Sequence, residues 1–292
     1  MRLTKHHGLG NDFIVVLDTD ASHPIDSDMA RALCDRHTGV GADGVLALDP
    51  SKRADFGLRI WNPDGSEAEK SGNGLRIFAR FLHATGRTRR LVFSVETRGG
   101  VVGVSLSLDA HGDASGASVA MGRASFRPED LPCSLDVPEL VDQPIRVGHR
   151  ALLFTGVSVG NPHCVVFRNK RADQEVTQRE LVELGRALET HPIFPRFTNV
   201  QLVVPRTRRR LALWIWERGA GATQASGSSA CAAACAAVRR GTAKSPVRVE
   251  MPGGALQVEV GPDYDVTLRG PVEEVCRGQL SDALVRSLGG RR

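Results

Sequence analysis

The chain has little of what a membrane protein, a secreted scaffold or a nucleic-acid reader needs. No run of 18 or more apolar residues occurs in its 292 residues. The opening MRLTKHHGLGND breaks at Gly8 and Gly10 before any apolar export core develops. Neither a bilayer helix nor a signal peptide is expected, and the protein is read as cytoplasmic. The six cysteines stand at uneven spacings with no CxxC pair, so free thiols in a reducing compartment are expected. Cys231 and Cys235 share a helical face, but two thiols fall short of a structural zinc site, and no metal is expected. A single tyrosine and three tryptophans leave no evident platform for stacking bases. The net charge of +5 resides in scattered residues and in the short runs RTRR at 87–90 and RTRRR at 206–210, which read as solvated turns. No nucleic-acid partner is expected, whereas a small anionic ligand gains from the same charge. GLGND and GVGADG lack the strand, helix and acidic partner of a dinucleotide fingerprint. No lysine stands in a context that argues for a Schiff base, and no cofactor is expected.

What is present is enough apolar patterning for two medium-sized domains. FIVVLD at 13–18 reads as a buried strand, DSDMARALCDRH at 26–37 as a helix with an acidic start, and TGVGADGVLAL as a glycine turn leading into a strand. FGLRIWNPDGSEAE gives a strand, a turn and then the approach to a helix. In SGNGLRIFARFLHATG, Leu75, Phe78, Ala79 and Leu82 form one apolar face and Gly86 is placed to stop the helix. DAHGD at 109–113 reads as a hairpin turn. Composition then shifts in MGRASFRPEDLPC, and the order repeats: strands, the helix RELVELGRALETH, the strands VQLVVP and LALWIWERG, the helix SGSSACAAACAAVRRG, and strands near VRVEM, LQVEV and VTLRG. The expected lobes are 1–122 with 274–292, and 123–273.

The two halves share one device. Ser71-Gly72-Asn73-Gly74 and Ser226-Gly227-Ser228-Ser229 each follow an acidic, glycine-bearing segment and open a helix, 155 residues apart. A helix that opens this way exposes unpaired N–H groups, and its macrodipole adds partial positive charge at the same place. Such a mouth binds a carboxylate. Two mouths facing each other would hold one carboxylate from both sides, with a serine on either side of the neighbouring carbon. Against this stands the plain reading of Ser71 and Ser226 as N-caps. His163 in GNPHC sits at a strand-entry turn behind Asn161 and Pro162. Glu217-Arg218 ends an apolar strand, where the pair would meet an ammonium and a carboxylate of one ligand or form an ordinary surface ion pair.

Together these residues resemble the diaminopimelate epimerases, cofactor-independent enzymes that invert an amino-acid α-carbon. The likeness runs through HGLGNDF at 7–13, CDRHTGVGADG at 34–44, NPDGSEAE at 62–69, GNGLR at 72–76, GNPHC at 160–164, ERGAG at 217–221 and PGG at 252–254. It implies an α/β (α+β) fold duplicated into two lobes, each a barrel-like sheet around a central helix, with the site in the cleft between them. It also implies a small amino-acid substrate, diaminopimelate or similar, a place in lysine biosynthesis and a homodimer. Asn11, Asn62, Asn161, Asn199, Glu217 and Arg218 fall on the family's ligand-binding positions. Gly72, Asn73, Gly74, Gly227 and Ser228 fall on the mouths that grip the reacting carboxylate. His163 and Glu217 match the groups that assist acid and base.

The departure is at the mouths themselves. The family places a cysteine at each, one thiolate removing the α-proton and the other thiol returning one, where this chain has Ser71 and Ser226. Ala222 replaces a usual glutamate and Ser229 a usual glycine. A thiol titrates near ~8.5 and is lowered further by a helix N-terminus, whereas a serine hydroxyl is a far weaker acid. Each pKa unit of that gap costs about 1.4 kcal/mol, so serine needs a base in contact to work. The residues thus leave three readings: an epimerase in which His163 and Glu217 act through Ser71 and Ser226, a homologue that binds the amino acid without turning it over, and a different proton-transfer isomerase.

Overall fold

The computed structural model describes residues 1–17, 25–168, 171 and 174–289. The chain divides into two compact units, Met1–Val119 with Gly270–Arg292, and Ala120–Arg269. The bounds expected from the sequence lie a few residues further along at each crossing, because the chain changes unit inside strands and not in linkers.

In the first unit, β1 (Arg2–Gly8), β2 (Asn11–Val16), α1 (Ser27–Cys34), β3 (Val45–Asp49), β4 (Phe56–Trp61), β5 (Glu67–Ala68), α2 (Gly72–Ala84), β6 (Val92–Thr97), β7 (Gly100–Leu108) and β8 (Ala114–Arg123) follow in order. Asp18, the expected end of the β2 strand, lies outside the described residues. The second unit holds β9 (Gln143–Val147), β10 (Arg150–Ser158), β11 (Pro162–Phe167), α3 (Gln178–Glu189), β12 (Asn199–Thr207), β13 (Arg210–Glu217), β14 (Gly221–Thr223), α4 (Gly227–Arg239), β15 (Val247–Met251), β16 (Gly254–Val260) and β17 (Asp265–Pro271). The chain then returns to the first unit with β18 (Glu273–Gln279) and α5 (Asp282–Gly289).

The strand pairings repeat. In the first unit β18–β1 and β1–β2 are antiparallel, β2–β3 parallel, β3–β4 antiparallel, β4–β6 parallel, and β6–β7 and β7–β8 antiparallel. The second unit runs through the same succession as β9–β10, β10–β11, β11–β12, β12–β13, β13–β15, β15–β16 and β16–β17. A bond from Val272 N to Ser115 O ties β8 back toward the start of β18, so the first unit's sheet curls. The helix approach expected after the NPDG turn is instead the short strand β5, which doubles back on β4 with Trp61 opposite Glu67. Asn62 and Ser66 close that turn through their backbones, which leaves the chain no room for a helix before Ser71.

Each sheet wraps one buried helix. α2 packs on β1, β2 and β7 with Leu75, Ile77, Phe78, Phe81 and Leu82 inside. α4 packs on β10 to β13, β15 and β16, and its residues from Ser229 to Ala237 are all buried. A helix enclosed on every side must be apolar all round, and the alanine run lets strands approach closely from several directions. The remaining helices cover the outer faces. α1 and α5 lie over the cluster that contains Leu3, Ile14, Leu33 and Val45, and α3 lies over Cys164, Leu184, Val200 and Leu202. The arginine runs at 87–90 and 206–210 fall in and beside exposed turns. The six cysteines are free thiols. Among the described residues no helix is long and apolar enough to cross a membrane.

Candidate active site

The shared topology gives each residue of one unit a counterpart in the other. Val45 lies between Ile14 and Trp61, and Val200 between Cys164 and Trp216, at the same place in the two sheets. Counting from these positions, Asn11 matches Asn161, Phe13 matches His163, Asn62 matches Glu217, and Glu67 matches Ala222 across the β-turn strands. Ser71 matches Ser226 as the residue before each central helix.

At the α2 mouth Ser71 is extended, and its Oγ accepts a hydrogen bond from Gly74 N at 3.0 Å. This is a working N-cap. Gly74 permits it, since a Cβ there would come within 3.3 Å of Ser71 Oγ and 3.1 Å of Leu46 Cδ2. Gly72, Asn73 and Gly74 form the buried first turn. Behind it runs a chain of polar groups. Arg76 Nη2 donates to Asn73 Oδ1 at 2.6 Å, Asn73 Nδ2 to Asn11 Oδ1 at 2.9 Å, and Asn11 Nδ2 to Asp43 Oδ2 at 2.9 Å. Arg36 then bridges Asp43 and Asp12, and Lys5 Nζ lies 2.8 Å from Asp12. The Asp12 carboxyl sits below its usual range: burial pushes it up, but the Lys5 and Arg36 bonds prevail. Asn62 stands apart from this chain, its Nδ2 donating to Ser66 Oγ at 2.9 Å.

The α4 mouth is arranged differently. Ser226 is extended like Ser71 yet makes no side-chain cap bond. Its hydroxyl instead lies 3.5 Å from Ser228 Oγ and close enough to the Glu217 carboxyl to lower its pKa. Burial pushes Glu217 above the usual carboxylate range, and the Ser226 hydroxyl offsets part of that rise. Gly219 and Gly221 take left-handed φ values of 76° and 81°, which lets the chain turn sharply just after Glu217. Glu189 at the end of α3 clamps this loop, with Oε1 accepting from Gly219 N and Oε2 from Trp216 Nε1, both at 2.7 Å. Asn199 uses both ends of its amide inside the unit: Nδ2 donates to Pro162 O at 2.9 Å and Oδ1 accepts from Arg218 N at 3.0 Å. Arg218 turns its side chain to Arg196 O at 3.1 Å, so Glu217 and Arg218 do not form the surface ion pair that was one expectation.

His163 is fully buried, with Nε2 2.9 Å from Asn161 Oδ1. Burial lowers its pKa to about 3, Gln201 opposes part of that, and the Arg218 charge adds a smaller lowering. The ring is therefore neutral at physiological pH. Among the described residues no cluster of three or more His, Cys, Asp or Glu side chains is arranged to hold a metal.

Sequence reasoning did not find Glu189, Gln201 or Asp43, and it noted Ser229 only as a departure. Gln201 lies in the strand VQLVVP, where apolar neighbours mask it; its signal is a polar residue on the face opposite Val200 and Leu202. Glu189 looks like an ordinary helix-end charge until Trp216 is brought beside it.

Known proteins share this chain's sequence and fold. The diaminopimelate epimerase family pattern matches residues 3–127 and 155–275. A protein named diaminopimelate epimerase 2 from a Nostoc species is 39% identical over 283 residues, covering 96% of each chain. A diaminopimelate epimerase from Desulfitobacterium hafniense is 41% identical over 288 residues, covering 97% of this chain and all of its own. Among solved structures, a hydroxyproline epimerase from Agrobacterium vitis, with trans-4-hydroxy-L-proline bound, has a TM-score of 0.70 at 17% identity. That match covers 96% of this chain and 90% of the other. A probable proline racemase from Agrobacterium radiobacter has a TM-score of 0.69 at 14% identity, covering 96% and 93%.

Proposed function

Because the chain belongs to the diaminopimelate epimerase family, we propose that it inverts the α-carbon of diaminopimelate or a close amino acid without a cofactor. In this reading Ser226 and Glu217 together remove the α-proton. The observation that carries it is that the Ser226 hydroxyl leaves α4 uncapped by its side chain, while it lowers a buried Glu217 carboxyl that burial has raised above its usual range. The Glu217 carboxylate takes the Ser226 hydroxyl proton as Ser226 Oγ takes the α-proton. The electron pair left on the α-carbon spreads into the neighbouring carboxyl group. The N–H groups at the mouths, from Gly72, Asn73 and Gly74 and from Gly227 and Ser228, carry the extra charge.

Ser71 has the complementary role. Its oxygen accepts from Gly74 N, which leaves its own O–H as a proton donor and stabilises the oxygen once the proton has gone. No base of its own unit stands at the positions matching His163 and Glu217, which hold Phe13 and Asn62. Ser71 thus delivers the proton to the α-carbon and regains one from solvent. His163 enters as a neutral ring that holds Asn161. Asn11, Asn62 and Arg218 bind the part of the substrate that does not react, and Asn199 sets the backbone of Arg218. A homodimer and a cytoplasmic location belong to the same reading, and light scattering and cell fractionation test them.

Incubation of the purified protein with one diaminopimelate stereoisomer, followed by chiral separation, tests the activity. A second α-stereoisomer is the expected product. Calorimetric binding without any new isomer supports the alternative, a binding homologue, which the capped oxygen of Ser71 favours. Absence of both binding and product overturns both readings.

A further inference from the structure

Where the second unit's sheet faces α4, His163 on β11, Gln201 on β12 and Ser229 on α4 are polar side chains wholly shut off from solvent. Two contacts among them and their neighbours are plain. His163 Nε2 lies 2.9 Å from Asn161 Oδ1, and Gln201 Nε2 lies 3.0 Å from Ser229 Oγ. Two buried atoms, His163 Nδ1 and Gln201 Oε1, have no hydrogen-bond partner. A buried polar atom without a partner costs about 1–3 kcal/mol, so a pair of them on neighbouring strands calls for an explanation.

The explanation is a matter of proton counting. With Asn161 Oδ1 as the acceptor, as it stands, His163 Nε2 carries the ring proton. A neutral imidazole has no second proton, and Nδ1 is then an acceptor beside another acceptor, Gln201 Oε1. An amide oxygen and nitrogen exchange places by a half-turn with almost no change of shape, and a serine hydroxyl donates as readily as it accepts. After that half-turn every group is paired. Ser229 O–H donates to Gln201 Oε1, Gln201 Nε2–H donates to His163 Nδ1, and His163 Nε2–H donates to Asn161 Oδ1.

We propose that Ser229 and Gln201 are positioning residues, forming with His163 a one-directional hydrogen-bond relay that holds the Asn161 oxygen inward and leaves its NH2 as the donor for a ligand carboxylate. The ligand part of this inference rests on the function proposed above, whereas the relay itself does not. Only a serine or threonine at position 229 reverses its donor role without moving. The Gln201 amide both accepts from the hydroxyl and donates to the ring, so the relay has a chemical signature that packing alone lacks.

Nitrogen-15 NMR of the histidine-labelled protein reads it directly, with the His163 signals identified by their loss in H163Q. The wild type should show a single neutral tautomer with the proton on Nε2. Q201L and S229A should give mixed tautomers, with KM for diaminopimelate raised about tenfold and kcat changed much less. Q201E, which cannot donate to Nδ1, should move a proton onto Nδ1. S229A removes only one oxygen and keeps the test interpretable if Q201L fails to fold. A wild-type proton on Nδ1, or an unmixed Nε2–H tautomer in both Q201L and S229A, overturns the relay. An intact relay in a protein that makes no second stereoisomer preserves this inference and removes the proposed activity.

Discussion

Ser71 and Ser226 occupy matching positions in the duplicated topology and use their hydroxyls differently: one caps a helix N–H, and the other makes no cap bond and lowers the Glu217 carboxyl. The difference is measurable. S71A removes a cap bond and should destabilise the protein by about 1 kcal/mol in urea unfolding. S226A removes no cap, but it removes the hydroxyl that holds Glu217 down, so the Glu217 carboxyl should titrate still higher in carbon-13 NMR. In the proposed mechanism Glu217 is the ionised base, so activity should rise with pH through its raised pKa. The acid limb of kcat/KM should therefore lie above 4.5, the ordinary glutamate value, and disappear in E217Q. His163 should contribute no limb near 6.5, since burial has moved it to about 3.

At the scale of elements, β13 and the loop after it aim Glu217, and α3 aims β13. Gly185 lets α3 lie against Trp216, because a Cβ there would stand 2.5 Å from Trp216 Cγ. Neither backbone can yield without opening the cluster that includes Leu184, Leu188 and Val200. G185A should destabilise the protein by about 1–3 kcal/mol and lower kcat by displacing the residue before Glu217, which urea titration and steady-state assays of the same preparation check together. This arrangement also marks where the sequence stops being informative. The serine–glycine helix openings, the left-handed glycine turns and the apolar face of α2 are local patterns, legible from spacing and residue type. Glu189 on Trp216, Gln201 on Ser229 and Arg76 on Asn73 depend on which strand lies beside which helix. The short strands β5 and β14 owe their existence to the turns that precede them and not to any strand-like run of their own.

For the whole molecule, the repeated pairing order explains why a spacing of 155 residues separates the two mouths, and it shows that duplication has left the units chemically unequal. Phe13 and Asn62 stand where His163 and Glu217 stand in the other unit, a contrast no short motif displays because the matching depends on strand register. Two buried histidines, His6 with a pKa lowered to about 4 and His163 at about 3, link stability to pH. Desolvation lowers both. Unfolded, each titrates near 6.5, so between 6.5 and about 4 the unfolded chain binds more protons than the folded one. Stability should be complete above 6.5 and fall as pH drops through that window, by at most about 1.4 kcal/mol per pH unit for each histidine. H163Q should flatten the decline seen in urea midpoints.

The most direct test of the central claim is the rate at which deuterium from D2O enters the α-position of diaminopimelate. Slow but measurable incorporation is expected of the wild type, with loss of it in S226A and E217Q and a marked increase in S226C, where a thiol replaces the hydroxyl near Glu217. No incorporation by the wild type, or an undiminished rate in E217Q, would contradict the claim.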